Sequence, residues 1–67
     1  MEPEVGKRYT VTHTRKGVFN IEVTWANEEF VGGIVIGPTV RGMAEDWYPG
    51  EKIDLRTSFC RFVEMEK

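Results

Sequence analysis

Side chains that carry chemistry are scarce in this chain. There is one cysteine and one histidine among 67 residues. Cys60 alone cannot form an intramolecular disulfide, and a CxxC metal site is excluded. His13 has no second imidazole to work with, and the carboxylates lack ligand spacing, so no metal and no cofactor are expected. Acid–base catalysis usually wants a histidine or a perturbed carboxylate held in a cleft. His13 instead falls near the end of a first strand, beside an RKG turn, where a partly exposed residue is expected. Cys60 lies between Phe59 and Phe62, where apolar packing would raise its pKa and keep it inert. Gly32, Gly33 and Gly37 precede no helix, which removes a phosphate cradle. These absences point away from an enzyme.

Long hydrophobic runs are missing too. The longest largely apolar stretch, FVGGIVIG, is far short of the roughly 20 residues that cross a bilayer, so no membrane partner is expected. MEPEVGKRYT carries acids and no apolar core, unlike a signal peptide. Small secreted domains usually rely on disulfide staples, which a single cysteine cannot supply. The expectation is a soluble, cytoplasmic protein. Helix signals are nearly absent as well: no dozen residues show three-and-four apolar spacing free of Gly, Pro or β-branched residues.

What is present favours a folded domain. The chain is 40% hydrophobic and 12% aromatic, too rich for disorder. Its length fits one domain with a thin core, burying only about 60% of the surface the unfolded chain exposes. Self-association would relieve that marginality. The net charge of −2 argues against a broad phosphate-binding surface. Charge is uneven, however: Lys7, Arg8, Arg15 and Lys16 stand against Glu2 and Glu4 in the first sixteen residues, and nine acids against five bases follow.

Period-two patterns recur along the chain. KRYTVTHT alternates Tyr9, Val11 and His13 with threonines, and VFNIEVTWA alternates Phe19, Ile21, Val23 and Trp25 with polar residues. FVGGIVIG is apolar on both faces, with a glycine pair that marks a bend or bulge. EKIDLRT turns Ile53 and Leu55 inward, and FCRFVEM closes the chain. The pattern predicts five short antiparallel strands with one long connection, between the third and the fourth. Closure is how so small a sheet manages its edges, so an all-β small barrel of SH3-like type is expected.

Two segments carry a family resemblance. RKGVFNIEVTWANEEFVGGIVI resembles the first signature of Sm-like small barrels, with Gly17 as the turn glycine and Val23 at the apolar bend. IDLRTSFCRFVE resembles the second, with Arg56 in the place of the signature arginine. Asn27 stands where that family has Asp, Gly32 or Gly33 where it has its base-binding Asn, and Thr57 where it has Gly. The resemblance therefore implies the fold, while its RNA-contacting positions differ. In size and in the ending GEKIDLRTSFCRF the chain also resembles the short SH3-like barrel proteins of phage and prophage genomes.

Three candidate surfaces follow. The loop at residues 38–50 carries Arg41, Glu45, Asp46, Trp47 and Tyr48, residue types suited to a protein or small polar ligand. The competing reading is that Trp47, with Met43, plugs the open end of the barrel. Lys7, Arg8, Arg15 and Lys16 form a candidate nucleic-acid patch, with Tyr9 or Trp25 as stacking platforms. Val31 and Val35, opposite Phe30, Ile34 and Ile36, and Val63 and Met65, opposite Cys60 and Phe62, are the candidate homo-oligomer interface. The leading expectation is a non-catalytic, homo-oligomeric binding protein of phage accessory or counter-defence type, engaging a host protein or a small nucleotide-like ligand through the 38–50 loop. An RNA or single-stranded DNA binder and a structural assembly subunit are the alternatives.

Overall fold

Alternation of apolar and polar side chains builds the first hairpin. The computed structural model describes residues 3–37, 40–41 and 46–65. Strand β1 (Arg8–His13) pairs antiparallel with β2 (Gly17–Ala26) across a turn at residues 14–16. Gly17 closes that turn at φ 89°, a left-handed conformation that glycine adopts without a steric penalty. Tyr9, Val11 and His13 from β1 and Phe19, Ile21 and Val23 from β2 share the buried face. Thr10, Thr12, Asn20 and Glu22 lie on the other.

Strand β3 (Phe30–Ile36) adds to β2, and Ile21 faces Val35 while Val23 faces Gly33. That register corrects one expectation. Val31 and Val35, expected to point outward, are both 0% exposed and belong to this molecule's own core. A strand that is apolar on both faces has no readable parity; its partner sets it, and here Ile21 and Val23 pull Val31, Gly33 and Val35 inward. The outward set is Phe30, Gly32, Ile34 and Ile36.

Between β2 and β3 the ladder slips by one residue, because Val23 faces Gly33 but Trp25 faces Gly32. Thr24 is the extra residue of this β-bulge, and parity inverts beyond it. Trp25, which regular alternation would place inside with Val23, comes out on the opposite face, and Ala26 packs against the core instead.

Two short strands, β4 (Val40–Arg41) and β5 (Asp46–Trp47), pair as a hairpin of their own, so the long connection carries regular structure. Strand β6 (Lys52–Arg56), a 3-10 turn at Thr57–Phe59 and strand β7 (Cys60–Glu64) follow. Among the described residues the main sheet has five antiparallel strands in the order β6-β3-β2-β1-β7. Its two edge strands are consecutive in sequence, joined only by the three-residue turn. Edge strands of a flat five-stranded sheet lie about 19 Å apart. A 3-10 turn of this length advances only about 8 Å. The sheet is therefore strongly curled around its buried face, and the shortest extent of the molecule is 19 Å. No ladder joins β6 to β7 among the described residues, so the sheet stays open along that seam.

The core is Tyr9, Val11, Phe19, Ile21, Val23, Val31, Val35, Trp47, Ile53 and Leu55. Cys60 and Phe62 of β7 pack partly against it, and the Tyr9 and Phe62 rings meet edge to face at 6.1 Å. The Tyr9 hydroxyl accepts the Glu4 backbone N–H at 2.8 Å, which ties the segment before β1 to the same core.

Candidate functional site

Trp47 decides the fate of the 38–50 loop as a binding surface. It is 5% exposed, and its ring lies 5.4 Å from that of Phe19. Its Nε1–H donates to the Lys16 carbonyl at 3.3 Å, and the Lys16 ammonium sits 5.0 Å from the ring centroid. Trp47 thus seals the core from the loop side, as the competing reading of the sequence held, and presents no free face to a ligand. Tyr48 is exposed, with its N–H donated to the Glu51 carboxylate at 3.3 Å. Arg41 and Asp46 are described only as ladder partners, and Glu45 and Met43 lie outside the described residues.

The four cations of the first sixteen residues do not form one patch. Lys7 pairs with Glu4 at 2.7 Å and Glu64 at 3.7 Å, and Arg8 with Glu22 at 3.2 Å. The Glu4 carboxylate, through its hydrogen bond and its charge, holds Lys7 above its ordinary pKa. Arg15 and Lys16 stand at the other end of β1, in the turn. The charges are split between two ends of a strand, and one pair of them is already engaged with carboxylates.

That turn also fixes His13. The imidazole is buried, against the expectation of partial exposure, and its Nδ1 accepts the N–H groups of Arg15 at 3.0 Å and Lys16 at 3.1 Å. Burial first, then the charges of Lys16 and Arg15, hold its pKa below the ordinary value. In strand register His13 faces Cys60. Burial pushes the Cys60 thiol up to about 11, with Lys16 opposing weakly. The imidazole lone pair is consumed by the turn, so it cannot take the thiol's proton. His13 acts as a turn cap.

What the curled sheet does expose is an aromatic on its convex face. Trp25 is 42% exposed. It lies against Gly32, where a Cβ would collide with the indole nitrogen and its neighbouring carbons. Thr24 Oγ1 donates to the Gly32 carbonyl at 3.3 Å and pins the bulge that turned Trp25 outward. Cross-strand register sets Trp25, Gly32 and Asp54 in one row and Glu22, Ile34 and Lys52 in the next. The result is a groove of about 330 Å³ lined by Thr24, Trp25, Gly33, Ile34, Lys52 and Asp54. It offers an indole surface and an aliphatic floor flanked by one ammonium and one carboxylate. Burial of an aromatic, with two flanking charges of opposite sign to set orientation, is the chemistry such a surface offers.

A second, shallower groove of about 320 Å³ lies beside Glu28, Glu29, Arg56, Thr57 and Ser58. Backbone and ring contacts shape its rim. Asn27 Oδ1 accepts the N–H groups of Glu29 and Phe30 at 2.9 and 2.8 Å, the Thr57 hydroxyl donates to the Glu29 carbonyl at 3.2 Å, and Arg56 packs 5.3 Å from the Phe30 ring.

Val63 is exposed on the convex side of β7, as its parity predicted, and Met65 is half-buried just beyond that strand. Strand alternation groups Trp25 with the inward residues, the nucleic-acid reading offers it as a stacking platform, and neither finds the groove beside it. The signal was the Gly32-Gly33 pair: adjacent glycines opposite a tryptophan-bearing strand mark a bulge in that strand as readily as a bend in their own. Among the described residues, no cluster of His, Cys, Asp and Glu is placed to hold a metal ion, and no helix is long and apolar enough to cross a membrane. No protein-family model matches the chain, and no curated protein or solved structure matches it either.

Proposed function

We propose that this chain is a non-catalytic, self-associating binding protein on an SH3-like, Sm-like small barrel, and that it engages a protein partner through the Trp25 groove. The strand order, with the first strand between the second and the last, supports the barrel, as does the three-residue link that draws the two sheet edges together. Its small size, and the lack of metal-binding clusters among the described residues, fit an accessory protein of the phage type, working in a reducing compartment where a lone cysteine stays free.

One observation carries the binding reading. A large aromatic is held half-exposed on a glycine seat. Exposed tryptophans are the residue type most enriched among binding hot spots. Nucleic-acid binding is the weaker reading, because Lys7 and Arg8 are paired with carboxylates and the remaining cations of that set lie a strand's length away.

The test is a comparison of wild type with Trp25→Ala as immobilised bait against a lysate of the source cells. The variant is expected to stay within about 1 kcal/mol of wild-type stability, as surface substitutions do. It should lose the proteins that wild type retains. Identical sets of retained proteins from both baits would remove the reading. A co-purifying small ligand in native mass spectra, displaced in the variant, would move the same groove from protein to small-molecule recognition.

A further inference from the structure

The self-association in that reading can be given an address. β6 is a terminal strand of the sheet, so one of its edges faces β3 and the other faces no ladder among the described residues. Which residues own the free edge follows from the hydrogen bonds. Val35 N–H donates to the Glu51 carbonyl at 2.8 Å, and Thr57 N–H donates to the Glu29 carbonyl at 2.9 Å. Antiparallel strands direct alternate residues toward each neighbour. Glu51, Ile53, Leu55 and Thr57 therefore turn their backbone groups to β3, and Lys52, Asp54 and Arg56 turn theirs away from it. The side chains of the latter three are all exposed on the convex face.

A second copy of this chain can pair with that edge about a two-fold axis, and the side-chain charges select among registers. Only registers that oppose Lys52, Asp54 and Arg56 to the same set match hydrogen-bonding groups. With the axis at Asp54, aspartate would face aspartate and Lys52 would face Arg56; like charges opposed across a ladder are destabilising. With the axis at Leu55, the contact would run into the Thr57–Phe59 turn, where β7 departs, and would involve Arg56, which already covers the Phe30 ring. With the axis at Ile53, Lys52 of each copy faces Asp54 of the other, twice over, at the end of the strand far from that turn.

We propose that two copies of this chain form an antiparallel β6–β6 dimer with Ile53 on the two-fold axis and reciprocal Lys52–Asp54 pairs on its convex face. The sequence Lys-Ile-Asp is self-complementary in charge when read against itself in this direction. The dimer continues the curled sheet of one copy into that of the other and leaves β7 outside the interface. It rests on the self-association part of the proposed function, and it shares Lys52 and Asp54 with the Trp25 groove but does not use the indole.

Sedimentation velocity across a concentration series tests it. Wild type should show a concentration-dependent dimer, weakened by added salt because both charge pairs are solvent-exposed. Asp54→Lys, or Lys52→Asp, places like charges opposite each other twice and should raise the dissociation constant roughly 10- to 100-fold. The double exchange Lys52→Asp with Asp54→Lys restores opposite charges in the same register and should return the constant to near the wild-type value. Circular dichroism confirms that each variant folds, which the exposure of both positions leads one to expect. A wild type that stays monomeric throughout would overturn the proposal. So would a dimer indifferent to the single reversals, or one the double exchange fails to rescue. Trp25→Ala should leave the dimer unchanged, so loss of partner binding and loss of dimerisation are read separately.

Discussion

Gly32 and Gly33 stand side by side, yet a methyl group would strike very different things at each. At Gly32 it meets the Trp25 indole, a side chain on a rotatable stem; at Gly33 it meets the Glu22 carbonyl oxygen at 2.6 Å, part of the paired backbone. A rotatable ring can leave, and a laddered carbonyl cannot. Gly32→Ala is therefore expected to swing Trp25 into solvent, with a red-shifted emission component and little loss of melting temperature. Gly33→Ala should push β3 from β2 and lower stability by about 1–3 kcal/mol, the usual range for overpacking. Chemical denaturation with fluorescence detection reads both. Equal losses at the two positions would show that the indole is wedged in place.

The elements themselves were largely legible. Period-two alternation predicts β1 and the first part of β2, because one wet face and one dry face demand it, and the chain reads as five short strands in succession. Parity was illegible where that contrast fails. β3 is apolar on both sides, so Val31 and Val35 look available from sequence and are core in space. The bulge at Thr24 was hidden for a related reason: the regular pattern of VFNIEVTWA continues in sequence past the point where the ladder slips. The connection between β3 and β6 shows the opposite case, a stretch read as loop that holds the β4–β5 hairpin. That hairpin positions Trp47, and its role is structural. Trp47→Ala is expected to cost about 3–5 kcal/mol as a core truncation. This is a large share of the roughly 3–10 kcal/mol expected for a domain this size, so thermal melts should show a greatly lowered or absent transition. A variant that melts like wild type would return Trp47 to the surface.

At the scale of the whole molecule, pH acts through His13. Its native pKa lies below the ordinary value of 6.5, because burial and the Lys16 and Arg15 charges oppose protonation. A proton would also remove the acceptor that holds the Arg15 and Lys16 N–H groups. The unfolded chain thus takes up this proton first, and stability falls as pH drops below about 6.5, levelling off once the native imidazole protonates as well. Above that window the contribution is intact. His13→Asn, whose Oδ1 can accept in the place of Nδ1, should flatten the change in urea midpoint between about pH 7.5 and about pH 5. A slope unchanged by this substitution would assign the effect to other groups.

The β1–β7 ladder has a consequence for how the molecule is made. Met65 N–H donates to the Arg8 carbonyl at 3.0 Å, so the first strand finds one of its two neighbours only when the last has been synthesised. The hairpins of β1, β2 and β3 are local and can form early, whereas this ladder joins the first and last of the described strands. Folds dominated by such distant pairings complete in milliseconds to seconds, against microseconds for local ones. Until it closes, the apolar face of β1 stays uncovered on the side that Phe62 shields in the finished fold. The nascent protein is therefore most vulnerable to misassociation just before its last strand docks.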